Sequence, residues 1–254
     1  MSTRQEFRSA LTALAPQEWP QYLAEHSGLP GPRGNLELAA AVGDVAIASQ
    51  IAELIASDDE FSMMCGAIGL GRLLAADSDE RVESELRTLA TDPRWRVREG
   101  VAMALQRLGD ADLDGLLVLA ERWTASASAP TDAPDLLLLR AVAAGVAESR
   151  LVTAEPAALR ALRILDRITA TLVGIPIGAR RGREDVRVLR QALGYAWSVV
   201  CGGAPDEGFA SLERWAESGD PDARWIVRSN TTKARLRRLD PVRTEALGRL
   251  AGAS

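Results

Sequence analysis

The sequence predicts an all-α chain of stacked helix pairs, and three observations carry that prediction. Apolar residues recur at three- and four-residue spacings along most of the 254 residues. Alanine and leucine dominate, while the alternation of β-branched residues that marks strands is scarce. One motif, Asp-x-Arg-Trp-x-Val-Arg, occurs twice, at 92–98 and at 222–228. A hydrophobic content of 47% suffices to bury a core.

Taken in order, the chain opens with helices near 4–14 and 17–26 and a stiff turn, "GLPGPRGN", at 28–35. Together these make a cap over residues 1–42. In the first motif copy, Val97, Val101, Leu105 and Leu108 form one apolar stripe. Asp92 is the expected N-cap, Pro93 the first helical residue and Gly109 the stop. Asp-Pro recurs at 220–221 and 240–241, so the helix carrying the second copy is expected to start about two residues earlier relative to its Trp. Weaker copies follow Asp59, Asp135 and Asp185. With the motif's last Arg as origin, the repeat positions are 65, 98, 140, 190 and 228, separated by helix-pair lengths. Between them run other amphipathic segments, such as Val82, Leu86 and Leu89, or Phe209, Leu212 and Trp215. A lone helix pair cannot bury both stripes, so the pairs must stack. The expectation is one solenoid domain over 1–254: cap 1–42, about five helix pairs over 43–238 with loop insertions at 124–134 and 174–185, and a cap helix over 239–254.

An Asp followed by Val-Arg, small residues and Leu at the start of the second helix of a pair resembles the HEAT repeat. The resemblance covers roughly 43–238 and is strongest at 92–108 and 220–237. It implies a right-handed α-α superhelix and a polar ladder between neighbouring repeats, here Asp92 with Arg98 and Asp222 with Arg228.

Charge is unevenly spread. The formal net charge is −5, yet residues 1–90 hold 6 Arg against 14 Asp and Glu, and the remainder holds 24 basic against 21 acidic residues. Lys233 is the only lysine, and guanidinium groups suit bidentate contacts to carboxylate or phosphate. Arg94 with Arg98, Arg183 with Arg187 and Arg190, and Arg224 with Arg228 share helical faces. A concave binding surface is therefore expected from Arg94, Trp95, Arg98, Arg140, Arg187, Arg190, Arg224, Trp225 and Arg228. The competing reading is a solvated face paired with acids. Trp95 and Trp225 lie three residues before Arg98 and Arg228, close enough for cation–π stacking. Alternatively the indoles wedge between repeats.

Arginine-lined HEAT-like solenoids of this size are similar to the bacterial DNA alkylation-repair glycosylases, a resemblance that implies duplex binding and an Asp among tryptophans that releases a cationic base. No Trp-Trp-x-x-x-Asp cluster occurs here, and no catalytic residue is carried over. The expected function is a noncatalytic binding or scaffold protein offering its arginine-lined surface to a protein or other anionic partner. Duplex DNA binding, with base excision as its sharper form, is the alternative.

Residues 110–121, "DADLDGLLVLAE", satisfy the EF-hand calcium pattern, but Leu113, Leu116 and Ala120 have helical spacing that a calcium loop would waste. A turn with Asp112 capping the next helix is expected, with no metal and no cofactor. Cys65 and Cys201 lack CxxC spacing and read as buried small hydrophobes. No phosphate-cradling Gly-Lys loop is present, and His26 is the only histidine. Without an apolar leader or an eighteen-residue apolar run, a cytoplasmic monomer away from membranes is expected.

Overall fold

The computed structural model describes residues 3–31, 33–77, 79–128 and 134–252. It is all-α: sixteen α-helices and one 3-10 turn, with no strand among the described residues. The chain forms two compact units, Met1–Ala111 and Asp112–Ser254.

The N-terminal unit contains α1 (Thr3–Ala13), α2 (Trp19–His26), α3 (Leu36–Val45), α4 (Ala48–Ile55), α5 (Glu60–Ala76), α6 (Glu80–Ala90) and α7 (Trp95–Ala111). Helices α1, α3, α5 and α7 form one row, each against the next, while α4 lies on α5 and α6 bridges α5 and α7. Helix α3 runs through the position where the cap was expected to end. The stripe Val97, Val101, Leu105 and Leu108 is buried as its spacing requires, and each such side chain contributes about 1.5–3 kcal/mol of transfer free energy. The tightest seam is α5 against α7. A Cβ on Gly71 would lie 2.3 Å from the Ala104 carbonyl oxygen, and one on Gly100 would lie 2.7 Å from that of Met64.

Two local expectations fail at α7. The helix begins at Trp95 rather than Pro93, and its entry is built by local side-chain contacts together with contacts to Asp58 and Glu60. Asp92 turns back on Arg94, accepting from its backbone N–H at 2.8 Å and from its guanidinium at 2.8 and 2.9 Å. The Arg96 N–H faces Glu60 of α5 at 3.3 Å, and the Arg98 guanidinium fills the Asp92 and Pro93 carbonyls. Gly109 does not stop the helix; it sits buried in the last turn, where a small residue packs without leaving helical geometry.

The C-terminal unit contains α8 (Leu113–Ala127), α9 (Leu136–Val146), α10 (Glu155–Gly174), α11 (Ile177–Arg180), α12 (Glu184–Val200), α13 (Pro205–Glu217), α14 (Pro221–Thr231), α15 (Ala234–Leu239) and α16 (Pro241–Gly252). Helices α9, α12, α14 and α16 form one row; α8, α10 and α13 form a second row, paired with the first. Of the insertion expected at 124–134, residues 129–133 lie outside the described residues, and 124–127 complete α8. The insertion at 174–185 contains the short helix α11. Asp220 and Asp240 start their helices as Asp-Pro predicts: Asp220 accepts from the N–H groups of Asp222 and Ala223, and Asp240 from that of Arg243. Ion pairs tie the second row together, with Arg160 of α10 gripping Glu121 at 2.8 Å and Asp166 accepting from Arg214 and the Trp215 indole at 2.6 and 2.8 Å.

Asp44 of α3 joins three helices, accepting from Arg4 of α1 at 2.6 and 2.8 Å and from Arg107 of α7 at 2.7 Å. Burial alone would raise this carboxyl's pKa, but the two guanidinium groups outweigh it and hold it below the usual range. A depressed folded-state pKa stabilises the fold above the unfolded value, about 3.9, and that contribution fades as pH falls through the lower folded value. Asp44→Asn is therefore expected to lower stability at neutral pH and to flatten the acid limb of the urea midpoint against pH. An acid limb as steep as that of the parent chain would show that Asp44 does not drive it.

No helix among the described residues is long and apolar enough to cross a membrane.

Candidate functional site

The nine arginines and tryptophans expected at the surface fall on both units. Arg94, Trp95 and Arg98 belong to the entry of α7. Arg94 is spent on Asp92 and the Asp58 carbonyl, and Arg98 is buried against the Asp92 and Pro93 carbonyls. Trp95 is 52% exposed, with the Arg96 guanidinium 4.7 Å from its ring centroid. Arg140 is half-buried on α9. Arg228 is exposed on α14 and donates to the Ala251 carbonyl at 2.8 Å.

The two motif copies thus diverge around a shared frame. Val97 and Val227 are both fully buried. However, Trp95 opens its helix, whereas Trp225 sits a full turn inside α14, half-buried, where a Cβ on Gly194 of α12 would lie 2.8 Å from its ring. Each indole carries a guanidinium, but not the expected one: Arg96 covers Trp95, and Arg190 of α12 covers Trp225 at 4.7 Å. The expected Asp–Arg ladder is likewise redirected. Arg98 uses the Asp92 carbonyl rather than its carboxylate, and Asp222 takes Arg180 and Arg190 instead of Arg228. At the second copy a cation from the neighbouring helix α12 wins over Arg228, whereas at the first the nearer chain neighbours Arg94 and Arg96 win over Arg98.

Arg187 and Arg190 do come together, on the wall of a pocket of about 400 Å³ between α11, α12 and the start of α14. Arg180, Arg181 and Arg183 line it as well. Sequence reasoning takes this stretch as an insertion and leaves Arg180 and Arg181 out; the run "ARRGRED" is the available signal, although it has no helical period to place it.

The pocket's arginines differ in duty. Arg180 is 5% exposed and fully engaged, donating to the Ile175 carbonyl at 2.7 Å, to Asp220 at 3.0 Å and to Asp222 at 2.9 Å. Burial alone would raise the Asp220 pKa, but Arg180 and the capped N–H groups outweigh it and hold it low. Arg190 pairs with Asp222 at 2.7 Å. Arg183 holds Asp185, whose pKa it lowers, and Arg187 holds Glu184 and Gln191. Arg181, exposed at the mouth, has no hydrogen bond or ion pair among the described residues. Four carboxylates, Glu184, Asp185, Asp220 and Asp222, thus answer four of five guanidinium groups, leaving the charge of Arg181. The Nε groups of Arg190 and of Arg224, on the adjoining turn of α14, are buried without a hydrogen-bond partner among the described residues. Ion pairing with part-buried carboxylates fixes Arg180 and Arg190 before any ligand arrives, and an unpaired guanidinium suits a carboxylate or phosphate.

The calcium-like segment is helix and cap. Asp112 accepts from the Gly115 N–H at 2.9 Å, while Asp114 and Glu121 both hold Arg160. Cys65 and Cys201 are buried, and burial pushes both thiols up, that of Cys201 to about 12. No protein-family model matches the chain, and no curated protein matches it.

Proposed function

We propose that this chain is a noncatalytic helical-repeat binding protein of the HEAT-like kind, whose C-terminal unit receives an acidic segment of a protein partner at the pocket between α11, α12 and α14. The carrying observation is the unpaired Arg181 at the mouth of a pocket whose inner arginines, Arg180 and Arg190, are held by ion pairs. The exposed Arg187, held only by surface groups, is the second donor, because Glu184 is itself exposed and a surface pair of this kind is worth little. The double variant Arg181→Glu/Arg187→Glu is expected to weaken binding of a fluorescein-labelled glutamate-rich peptide by at least about tenfold in fluorescence anisotropy, the loss of one charge-assisted hydrogen bond or more. Unchanged affinity, or no binding of the peptide by the parent chain at low salt, removes this reading.

Duplex DNA is the second reading, favoured by the exposed Arg237 and Arg238, whose guanidinium groups reach only backbone carbonyls among the described residues. It predicts affinity falling with salt by a logarithmic slope of about 0.9 per phosphate contact. Asp92 and Asp222, the acids nearest the two tryptophans of the repeated motif, are held in ion pairs, which argues for binding over base excision.

A further inference from the structure

In the C-terminal unit, successive helices of the second row touch, but in the N-terminal unit α4 and α6 both rest on α5 and share little or no contact. Between them lies a groove of about 610 Å³. Its floor is Leu70 and Leu73 of α5; one wall is the methyl stripe Ala48, Ala52 and Ala56, and the other is Val82 and Glu85. The exposed alanines at four-residue spacing carry only methyl groups, beside which Ile55 adds apolar surface, so a helix could approach the α4 backbone closely at Ala48 and Ala52. Exposed Ile47 extends the apolar surface at one end.

We propose that this groove docks an amphipathic helix from a partner protein, with its apolar stripe on Leu70, Leu73 and Val82 and with Lys and Arg on its flanks. Groove shape and apolar lining account for a helical stripe, since helix-in-groove recognition needs anchors only about every third or fourth residue. The charge around the groove sets the sign of the flanks. Residues 43–90 carry ten Asp and Glu against three Arg. Of the charged residues lining the groove, Arg81 is already paired with Asp79 at 2.9 Å, which leaves the carboxylate of Glu85, and Glu53, Asp58, Asp77 and Glu80 are exposed elsewhere on the same stretch of chain. An acidic helix would bring like charges together at this rim, whereas a basic one is steered to it.

The test uses three fluorescein-labelled model peptides of equal length: leucine on one helical face with lysine elsewhere, the same composition scrambled, and the patterned peptide with glutamate in place of lysine. The patterned lysine peptide is expected to bind best, and to lose at least about tenfold in affinity on Ala52→Arg, which fills the groove with charge. Ala52 and Ala48 are exposed, so Ala52→Arg and the second variant Ala48→Arg are expected to keep the parent helicity and melting temperature. Equal binding of the scrambled peptide, or unchanged affinity in both variants, would reduce the effect to surface charge alone and overturn the proposal. Equal binding of the glutamate peptide would overturn the basic partner. Self-association that the lysine peptide cannot displace, seen by sedimentation, would assign the groove to a second copy instead.

Discussion

Gly71→Val lowers the stability of the N-terminal unit by about 4 kcal/mol or more, a loss on the scale of a whole domain's margin. Gly71 lies where α5 crosses α7, and the three atoms nearest an added Cβ are the oxygen, Cα and carbonyl carbon of Ala104, at 2.3, 2.6 and 2.8 Å. None is the end of a flexible side chain, so the helices must separate rather than repack. Separation would strip contact from Gly100, whose absent Cβ lets α7 lie against Met64 and Ala67. Gly71→Ala sets two effects against each other. Helix propensity favours alanine by about 1 kcal/mol. Even the single methyl meets backbone, so a net loss of roughly 2 kcal/mol is expected. Gly174→Ala, at the end of α10 with no atom within 4 Å of the added methyl, provides the control and should be neutral or slightly stabilising. Urea denaturation of the three variants decides the matter. A Gly71→Ala chain as stable as the parent would mean that α5 and α7 do not approach this closely in solution.

That seam illustrates which parts of the molecule could be read from its sequence. The stripe through Val97, Val101, Leu105 and Leu108 was legible because helical burial depends on spacing along one chain. The caps at Asp220 and Asp240 were legible because a cap and its N–H groups lie within three residues. The start of α7 was not, since Glu60 shapes it from α5 while Arg98 reaches back from the helix's own first turn to the Asp92 carbonyl. Arg187 and Arg190 announced themselves by helical spacing, but nothing local shows that Asp222, 32 residues after Arg190, holds that guanidinium over Trp225. Arg180 and Arg181 were missed because a short helix between a proline and a positive-φ glycine, Gly182, has no period to detect.

Asn230 is the residue whose role was least visible, and its replacement carries the second large effect. A single asparagine within a polar-looking run suggests surface, yet Asn230 is fully buried between α14 and α12. Its side-chain oxygen accepts from the Ser198 N–H at 2.8 Å, and its amide nitrogen donates to the carbonyls of Leu193 and Ile226 at 2.9 and 2.8 Å. An N–H can only donate and a carbonyl can only accept, so the amide orientation is fixed by chemistry. Two of these partners belong to the backbone of α12, making Asn230 a polar clamp between neighbouring helices of one row. Asn230→Leu keeps the volume roughly constant and leaves the Ser198 N–H and the Leu193 carbonyl without their clamp. At about 1–3 kcal/mol for each buried group left unsatisfied, a loss of roughly 3–5 kcal/mol is expected. Asn230→Asp is the sharper experiment because shape and the acceptor for Ser198 survive. The carboxylate then faces two carbonyl oxygens with no proton to offer, in a fully buried site where bulk solvent screens little, so its loss at neutral pH should exceed that of leucine. Acidification restores a donor when the carboxyl is protonated, so the Asn230→Asp variant should recover part of its deficit relative to the parent as pH falls. An Asn230→Asp variant within about 0.5 kcal/mol of the parent at neutral pH, the usual range for a surface change, would show that the clamp does not form as described.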